Sequence, residues 1–204
     1  MGIVIILVII VCIFFLIKIN KVEKTYNIVN PFVEEIDKIK SKDIKEAALD
    51  LVDKVPVYFW KVPASSSGKY HPLTDLGEGG LVRHSINVKR MLDHLLTLDG
   101  YFEMTNREKD LLRVAALFHD CMKSGSQEDY EKNPHTQFMH PIYASEFIKE
   151  NMSLPESDIE FICKAVESHM GQWNRGTLPL PETTAQKALH LADYLASRKG
   201  IEMS

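Results

Sequence analysis

The hydrophobic pattern of the chain has two regimes: an unbroken apolar run at the N-terminus, then recurrent helical periodicity. From Gly2 to Ile17 the sequence GIVIILVIIVCIFFLI carries no charged or strongly polar side chain, and Lys18, Ile19 and Asn20 follow. A bilayer-crossing helix needs ~17–25 residues, and Lys18 can snorkel to the interface. Residues 1–20 are therefore expected to form a single-pass transmembrane helix, since a surface helix of a globular domain would keep a polar face. A cleaved signal peptide fits poorly, because no Lys or Arg precedes the run and no A-x-A-like site follows it. N-myristoylation also fails, since Ile6 stands where Ser or Thr is needed. Lys18, Lys21 and Lys24 flank the C-terminal side, which predicts a cytoplasmic soluble part at the inner face of a membrane.

Residues 21–63 read as a linker or stalk helix. Asn30-Pro31 opens a helical stretch to about Lys54, with Phe32, Ile36, Ile39, Ile44 and Leu51 among many charges. That stretch predicts either a stalk or the first helix of the following domain. Residues 64–204 form the domain proper. It starts with a Ser- and Gly-rich loop, Ala64–Gly80, too polar for a core element. A helix over Leu81–Leu98 follows. The next is capped by Thr105-x-x-Glu108 and ends at His119-Asp120. His140-Pro141 begins another helix to Asn151. Ser153-x-x-Glu156 predicts a cap for a helix reaching His169-Met170, with Gly171 as its stop. The last helix spans Glu182–Arg198. No segment alternates as a strand would, so the fold class is all-α.

Composition narrows the partners. The chain has 204 residues, 45% hydrophobic and 25% charged, as a globular protein does. Its 24 Lys and Arg stand against 28 Asp and Glu, and a net charge of −4 offers no basic footprint for long duplex nucleic acid. Small nucleotides and short oligonucleotides stay open, because a metal site brings its own positive charge. Cys12, Cys121 and Cys163 form no CxxC pair, which fits a reducing compartment.

The candidate chemistry is a series of histidines and aspartates: His84, His119, Asp120, His140, His169 and Asp193. Imidazoles and carboxylates together are the ligand inventory of a two-metal hydrolytic centre. His119-Asp120 follows the apolar run LLRVAALF, so both side chains are expected to be buried and in need of partners. Asp193 lies in the apolar helix HLADYLASR, where a lone carboxylate is costly. His84 follows the Gly79-Gly80 turn, which permits close backbone approach. His140 and His169 decide between one metal and two, since His140 could also cap a helix. His71, His94 and His135 sit in polar loops or on a mixed face and are set aside. His190 lies three residues before Asp193 and is expected to orient a ligand rather than to be one.

The segments GGLVRHS, HDCMK and HLADYLASR, with His140 and His169 between them, resemble the HD-domain metal-dependent phosphohydrolases over roughly Lys69–Arg198. The resemblance implies an all-α HD-domain bundle around a metal centre. It implies that His84, His119, Asp120 and Asp193 hold one metal, with Asp120 bridging to a second. His140 and His169 match the extra histidines of two-metal HD phosphodiesterases, and Lys123 matches the HDxxK lysine that approaches a substrate phosphate. HDCMK replaces the commoner HDIGK, and MGQWNRGTLPLP stands where the HD-GYP subgroup has its triplet. GGLVRHS also resembles HD-type oligonucleotide exonucleases.

The expected function is hydrolysis of a phosphate ester of a nucleotide or cyclic (di)nucleotide by a metal-activated water. The alternatives are a 3'-5' exonuclease on short single strands and a catalytically silent nucleotide-binding HD sensor. The mixed ligands suit two divalent transition ions, Mn, Fe, Co or Zn, better than Mg or Ca. Asp120 and Lys123 are the expected catalytic residues. Lys69, Tyr70, Arg83, Lys123, Gln172 and Trp173 are the expected substrate contacts, with Trp173 able to stack on a base. For Arg83 and Trp173 a purely structural role weighs equally.

Overall fold

The computed structural model describes residues 30–65, 67–98 and 103–201, together with residue 13. The expected membrane anchor, residues 1–20, otherwise lies outside the described residues, as do residues 21–29 of the linker. Among the described residues no helix is long and apolar enough to cross a membrane.

Every regular element described is helical. The first, α1, covers residues 30–37 and buries Phe32 and Ile36 completely. The Phe32 ring meets Phe59, Trp60 and Phe118 edge-on at centroid distances of 5.7, 5.4 and 5.3 Å. Residues 30–63 thus supply part of the domain's own core, and the stalk alternative yields to a first helix packed on the rest.

The stretch to Lys54 is not one helix. α1 stops and α2 runs Lys42–Val52, because Ser41 turns to bind the buried carboxylate of Asp110. The Ser41 backbone N–H and hydroxyl both donate to Asp110 Oδ2, at 2.9 and 2.8 Å. Ile44, Ala47, Ala48 and Leu51 form the buried face of α2, a helical spacing. The aromatic segment Val57–Trp60 makes a 3₁₀ turn that buries Tyr58, Phe59 and Trp60.

The loop that follows folds back onto the start of α3 (Gly80–Leu95). Ala64 N–H donates to Asp75 O, Gly79 N–H to Lys61 O and Leu81 N–H to Val62 O, each at 3.0 Å. Gly80 allows this closure, since a Cβ there would lie 2.0 Å from Asp75 O.

Helix α4 (Asn106–Phe118) has the expected Thr105–Glu108 capping box. A short α5 (Gln127–Lys132) was not foreseen, although Ser126 and Asp129 cap it the same way. α6 spans His140–Asn151, with Pro141 in its first turn. α7 spans Glu156–Glu167, and its N-cap is Pro155 rather than Ser153, with no side-chain cap. α8 is Thr184–Ala196, shorter at both ends than the pattern suggests, because a Thr183–Gln186 box sets its start. α3 packs on α4 and α8, α4 on α7, and α6 on α7.

A buried ionic network joins α1, α3 and α4. Glu35 accepts from Lys38, Lys89 and Arg90, each at 2.8 Å. Lys89 also pairs with Asp93 at 2.8 Å, and Arg113 bonds Asp93 and Asp110 at 2.6 and 2.8 Å. Burial opposes ionisation of Glu35, but its three cationic donors overcome that and hold its pKa down to about 2.

Candidate metal centre

Five helices deliver the six predicted ligands to one place. α3 carries His84 and α4 ends at His119-Asp120. His140 opens α6, His169 stands just past α7, and Asp193 rides on α8. Ligand atoms of His84, His119 and Asp120 lie within 4.8 Å of one another, as do those of His119, His169 and Asp193, and of Asp120, His140 and His169. The three sets share members, so the six residues form one continuous cluster. All are buried except Asp193, whose side chain is 21% exposed.

Three of the histidines are oriented by backbone. The Nδ1 of His119 faces Ala116 O at 2.8 Å, that of His140 faces Gln137 O at 2.7 Å, and that of His169 faces Val166 O at 2.7 Å. A carbonyl can only accept, so each Nδ1 bears the proton and each Nε2 offers a lone pair. These Nε2 atoms converge on Asp120. His140 Nε2 lies 3.0 Å and His169 Nε2 3.7 Å from Oδ1, and His119 Nε2 lies 3.5 Å from Oδ2. On the other side His84 Nε2 lies 3.0 Å from Asp193 Oδ1, and His119 Nε2 lies 3.8 Å from it.

The donor set fits divalent cations. The two lone-pair nitrogens His140 Nε2 and His169 Nε2 sit only 3.3 Å apart. Buried His119 Nε2 and Asp120 Oδ1 have no hydrogen-bond partner. Such orphans are costly in a fold unless something else satisfies them. Ligands at ~2.0–2.2 Å from one ion stand about 3–3.6 Å from each other, close to the separations seen here.

Protonation follows the same division. Burial, together with His119 and His140, pushes His169 down to about 3, and burial lowers His119 as well. Both rings are therefore neutral near pH 7, the form that binds metal. Burial also opposes protonation of His84, but the carboxylates of Asp193 and Asp75 prevail and raise it to about 9. Burial disfavours the charged forms of Asp120 and Asp193. Lys123, His119 and His140 nonetheless hold Asp120 well below the usual carboxylate range, and His84, His119 and His169 do the same for Asp193.

Two residues of the site escape a sequence reading. Asp75 is fully buried, its Oδ2 lies 3.7 Å from His84 Nδ1, and Asn87 donates to its Oδ1 at 3.3 Å. A carboxylate behind a ligating imidazole orients the ring and raises its basicity. In the loop HPLTDLGEGG nothing separates this aspartate from an ordinary surface one. The second is Tyr58, whose hydroxyl accepts from Ser124 N–H at 3.1 Å and donates to Gly125 O at 2.6 Å. It pins the turn that follows Asp120.

His71, set aside as a loop histidine, is brought to the edge of the centre. Its ring centroid lies 5.0 Å from that of His84 and its Nδ1 is buried without a partner, but it belongs to none of the three ligand sets. Burial, then His84, lowers it to about 4. His190 bonds the His169 carbonyl through Nδ1 at 2.8 Å, an orienting position. Gly171 makes room for that ring, since a Cβ would come within 2.2 Å of it.

The expected substrate contacts divide. Lys123 Nζ bonds Asp120 Oδ2 at 2.6 Å, so its charge stands at the centre. Arg83 donates to the carbonyls of Thr74, Glu78 and Leu76 at 2.6, 2.9 and 3.3 Å, which makes it the clamp of the loop over the site. Lys69 lies over the exposed Tyr70 ring, with Nζ 5.1 Å from its centroid. Gln172 is exposed, and the partly exposed Trp173 stacks on Tyr194 at 5.4 Å and 15°.

Comparison with known proteins agrees with this arrangement. Neither the curated proteins nor the solved structures contain a match to the chain. The sequence pattern described as HD domain matches residues 81–198, from the start of α3 to just past α8. That span is more than half of the chain and holds all six converging side chains, so the chain belongs to the HD domain family.

Proposed function

We propose that the chain is a metal-dependent phosphohydrolase or phosphodiesterase that cleaves a phosphate ester of a nucleotide or cyclic (di)nucleotide. The observation that carries this reading is the cluster of imidazole Nε2 atoms around the orphaned carboxylate oxygen of Asp120. Divalent cations held there, two ions of the Mn, Fe, Co or Zn type, would supply Lewis acidity toward phosphoryl oxygens and a water acidified to near neutral pH. His84, His119, Asp120 and Asp193 would hold one and His140 with His169 the other, with Asp120 shared.

The chain's own residues do the rest. Lys123 keeps Asp120 ionised and places a point charge beside the phosphoryl position. The backbone carbonyls orient the His119, His140 and His169 rings, and Asp75 stands behind His84 at 3.7 Å. The loop clamped by Arg83 covers the His84 side. The partner is a small nucleotide or a short oligonucleotide, not long duplex nucleic acid. Residues 1–20 would tether the domain to the cytoplasmic face of a membrane.

The test is metal analysis beside turnover of a cyclic dinucleotide, a mononucleotide and a labelled single-stranded oligonucleotide. We expect close to two metals per chain in wild type, about one in His140→Ala, and no turnover in Asp120→Ala. Turnover of the oligonucleotide alone would shift the reading to an exonuclease. A metal-loaded chain that binds these ligands and turns over none would be a silent sensor, and the hydrolase reading would fall.

A further inference from the structure

Six arginines occur in the chain, and four of them bond carboxylates or backbone carbonyls of other elements or loops. Arg83 holds three carbonyls, Arg90 bonds Glu35, Arg107 bonds Asp43 and Asp158, and Arg113 bonds Asp93 and Asp110. Arg175 lies over Phe138, with its Cζ 5.1 Å from the ring centroid. Arg198 differs from all of these. Its Cζ sits 4.3 Å from the Tyr194 centroid, 5.2 Å from that of Tyr70 and 5.7 Å from that of Trp173. Its Nε donates to Tyr194 O at 3.3 Å. Among the described residues no carboxylate stands within ion-pair distance of the guanidinium, and its terminal N–H groups have no acceptor.

Each ring around Arg198 adjoins the metal centre. Tyr70 precedes His71, whose ring packs against His84. Tyr194 follows Asp193 on α8. Trp173 lies 5.8 Å from His190, which holds the carbonyl of His169. Asp193 is also the one ligand open to solvent, at 21% exposure. The solvent-open edge of the centre thus lies on α8, the helix that also carries Tyr194. Arg198 follows Asp193 by five positions and stands just past the end of α8, with its guanidinium held among these rings, whereas Lys123 is the cation bonded to Asp120 at the centre.

A guanidinium held among aromatic rings keeps its fork of N–H donors free and fixed in direction, the geometry that binds a phosphate by two parallel bonds. We infer that Arg198 is a second anion-recognition point, and that the preferred substrate carries a second phosphoryl group beyond the one cleaved. This rests on the phosphohydrolase reading and narrows its substrate class to nucleotides with two separated phosphates.

The test uses the metal-loaded full chain with adenosine 5′-monophosphate and adenosine 3′,5′-bisphosphate, each followed by titration calorimetry and by phosphate release. Wild type should bind the bisphosphate about tenfold or more tightly than the monophosphate, as one charge-assisted pair of bonds provides. Arg198→Gln should abolish that preference, raising KM for the bisphosphate roughly tenfold with kcat and metal content kept, and Arg198→Lys should restore part of it. Equal binding of the two ligands by wild type, or an unchanged preference in a folded, metal-loaded Arg198→Gln, overturns the inference. Absence of turnover by wild type of these ligands and of the cyclic dinucleotide and oligonucleotide alike refutes the hydrolase reading instead, whatever the affinities show.

Discussion

Helix α3 carries two buried polar clusters that end differently. In its second half Lys89, Arg90 and Asp93 enter the network of Glu35, Arg113 and Asp110, where the acids are met by nearby cations. In its first half His84 joins a cluster in which buried nitrogen and oxygen atoms face each other without hydrogen bonds. Both have buried members, Glu35 and Lys89 in the first and His119 and Asp120 in the second, and these need satisfaction for the same dielectric reason. The first is complete with its own side chains, so it holds helices together. The second leaves buried donor atoms that its own side chains do not satisfy and that could hold a metal ion, which is what distinguishes a candidate binding centre from a structural ion network.

The largest expected difference is in activity. Asp120→Asn should lower kcat/KM by roughly a thousandfold or more, about 4 kcal/mol of barrier. The metal-free variant should stay folded, since a carboxamide of the same size keeps an oxygen that can accept from Lys123 Nζ. Elemental analysis beside thermal unfolding in chelator would check both. Retained activity would break the contrast at its strongest point.

Glu35→Ala should do the reverse, costing about 3 kcal/mol of stability by leaving Lys89 short of a buried partner, with metal content unchanged. Denaturant unfolding with and without metal would measure it. The same network predicts an acid limb. Glu35 has a folded pKa of about 2 against an ordinary 4.5, so its stabilisation is full above about pH 4.5 and is lost as pH falls through about 2. Glu35→Gln should lack that limb.

Asp75→Asn tests the boundary between the clusters, because this carboxylate supports a ligand without joining the ligand sets. Metal affinity should weaken roughly 10–100-fold, the usual effect of removing such a partner. Competition with a fluorescent chelator would read it.

The smallest effect is one of pH. A cation must displace the proton that Asp193 and Asp75 hold on His84, so metal affinity should rise about tenfold per pH unit up to about pH 9 and then level. In the metal-free protein the sign reverses. Stabilisation by the raised His84 is full below about pH 6.5 and is lost as pH rises through about 9. His169, lowered to about 3, adds no slope in that window.

The helix-borne part of the site was legible because polar residues in apolar runs are conspicuous. His119-Asp120 after LLRVAALF and Asp193 within HLADYLASR carry their cost in the local sequence. Asp75 and His71 were not legible, since each lies in a polar loop and is buried only by long-range folding of that loop onto α3. Lys89 reads as the solvated face of a helix, and only the return of Glu35 from α1 explains its burial. The same holds for elements. The Thr105 cap was readable from its spacing, whereas the break before α2 depends on Asp110, 69 residues away.

The imidazoles that seek backbone carbonyls three residues earlier have a consequence for dynamics. His119 and His169 each close the end of their own helix with a side chain that also points into the centre. Loading the centre withdraws electron density from those rings and strengthens the Nδ1–H donors on their far edges. Occupancy is then transmitted into fraying at the C-terminal ends of α4 and α7, and amide exchange there becomes a gauge of how full the centre is.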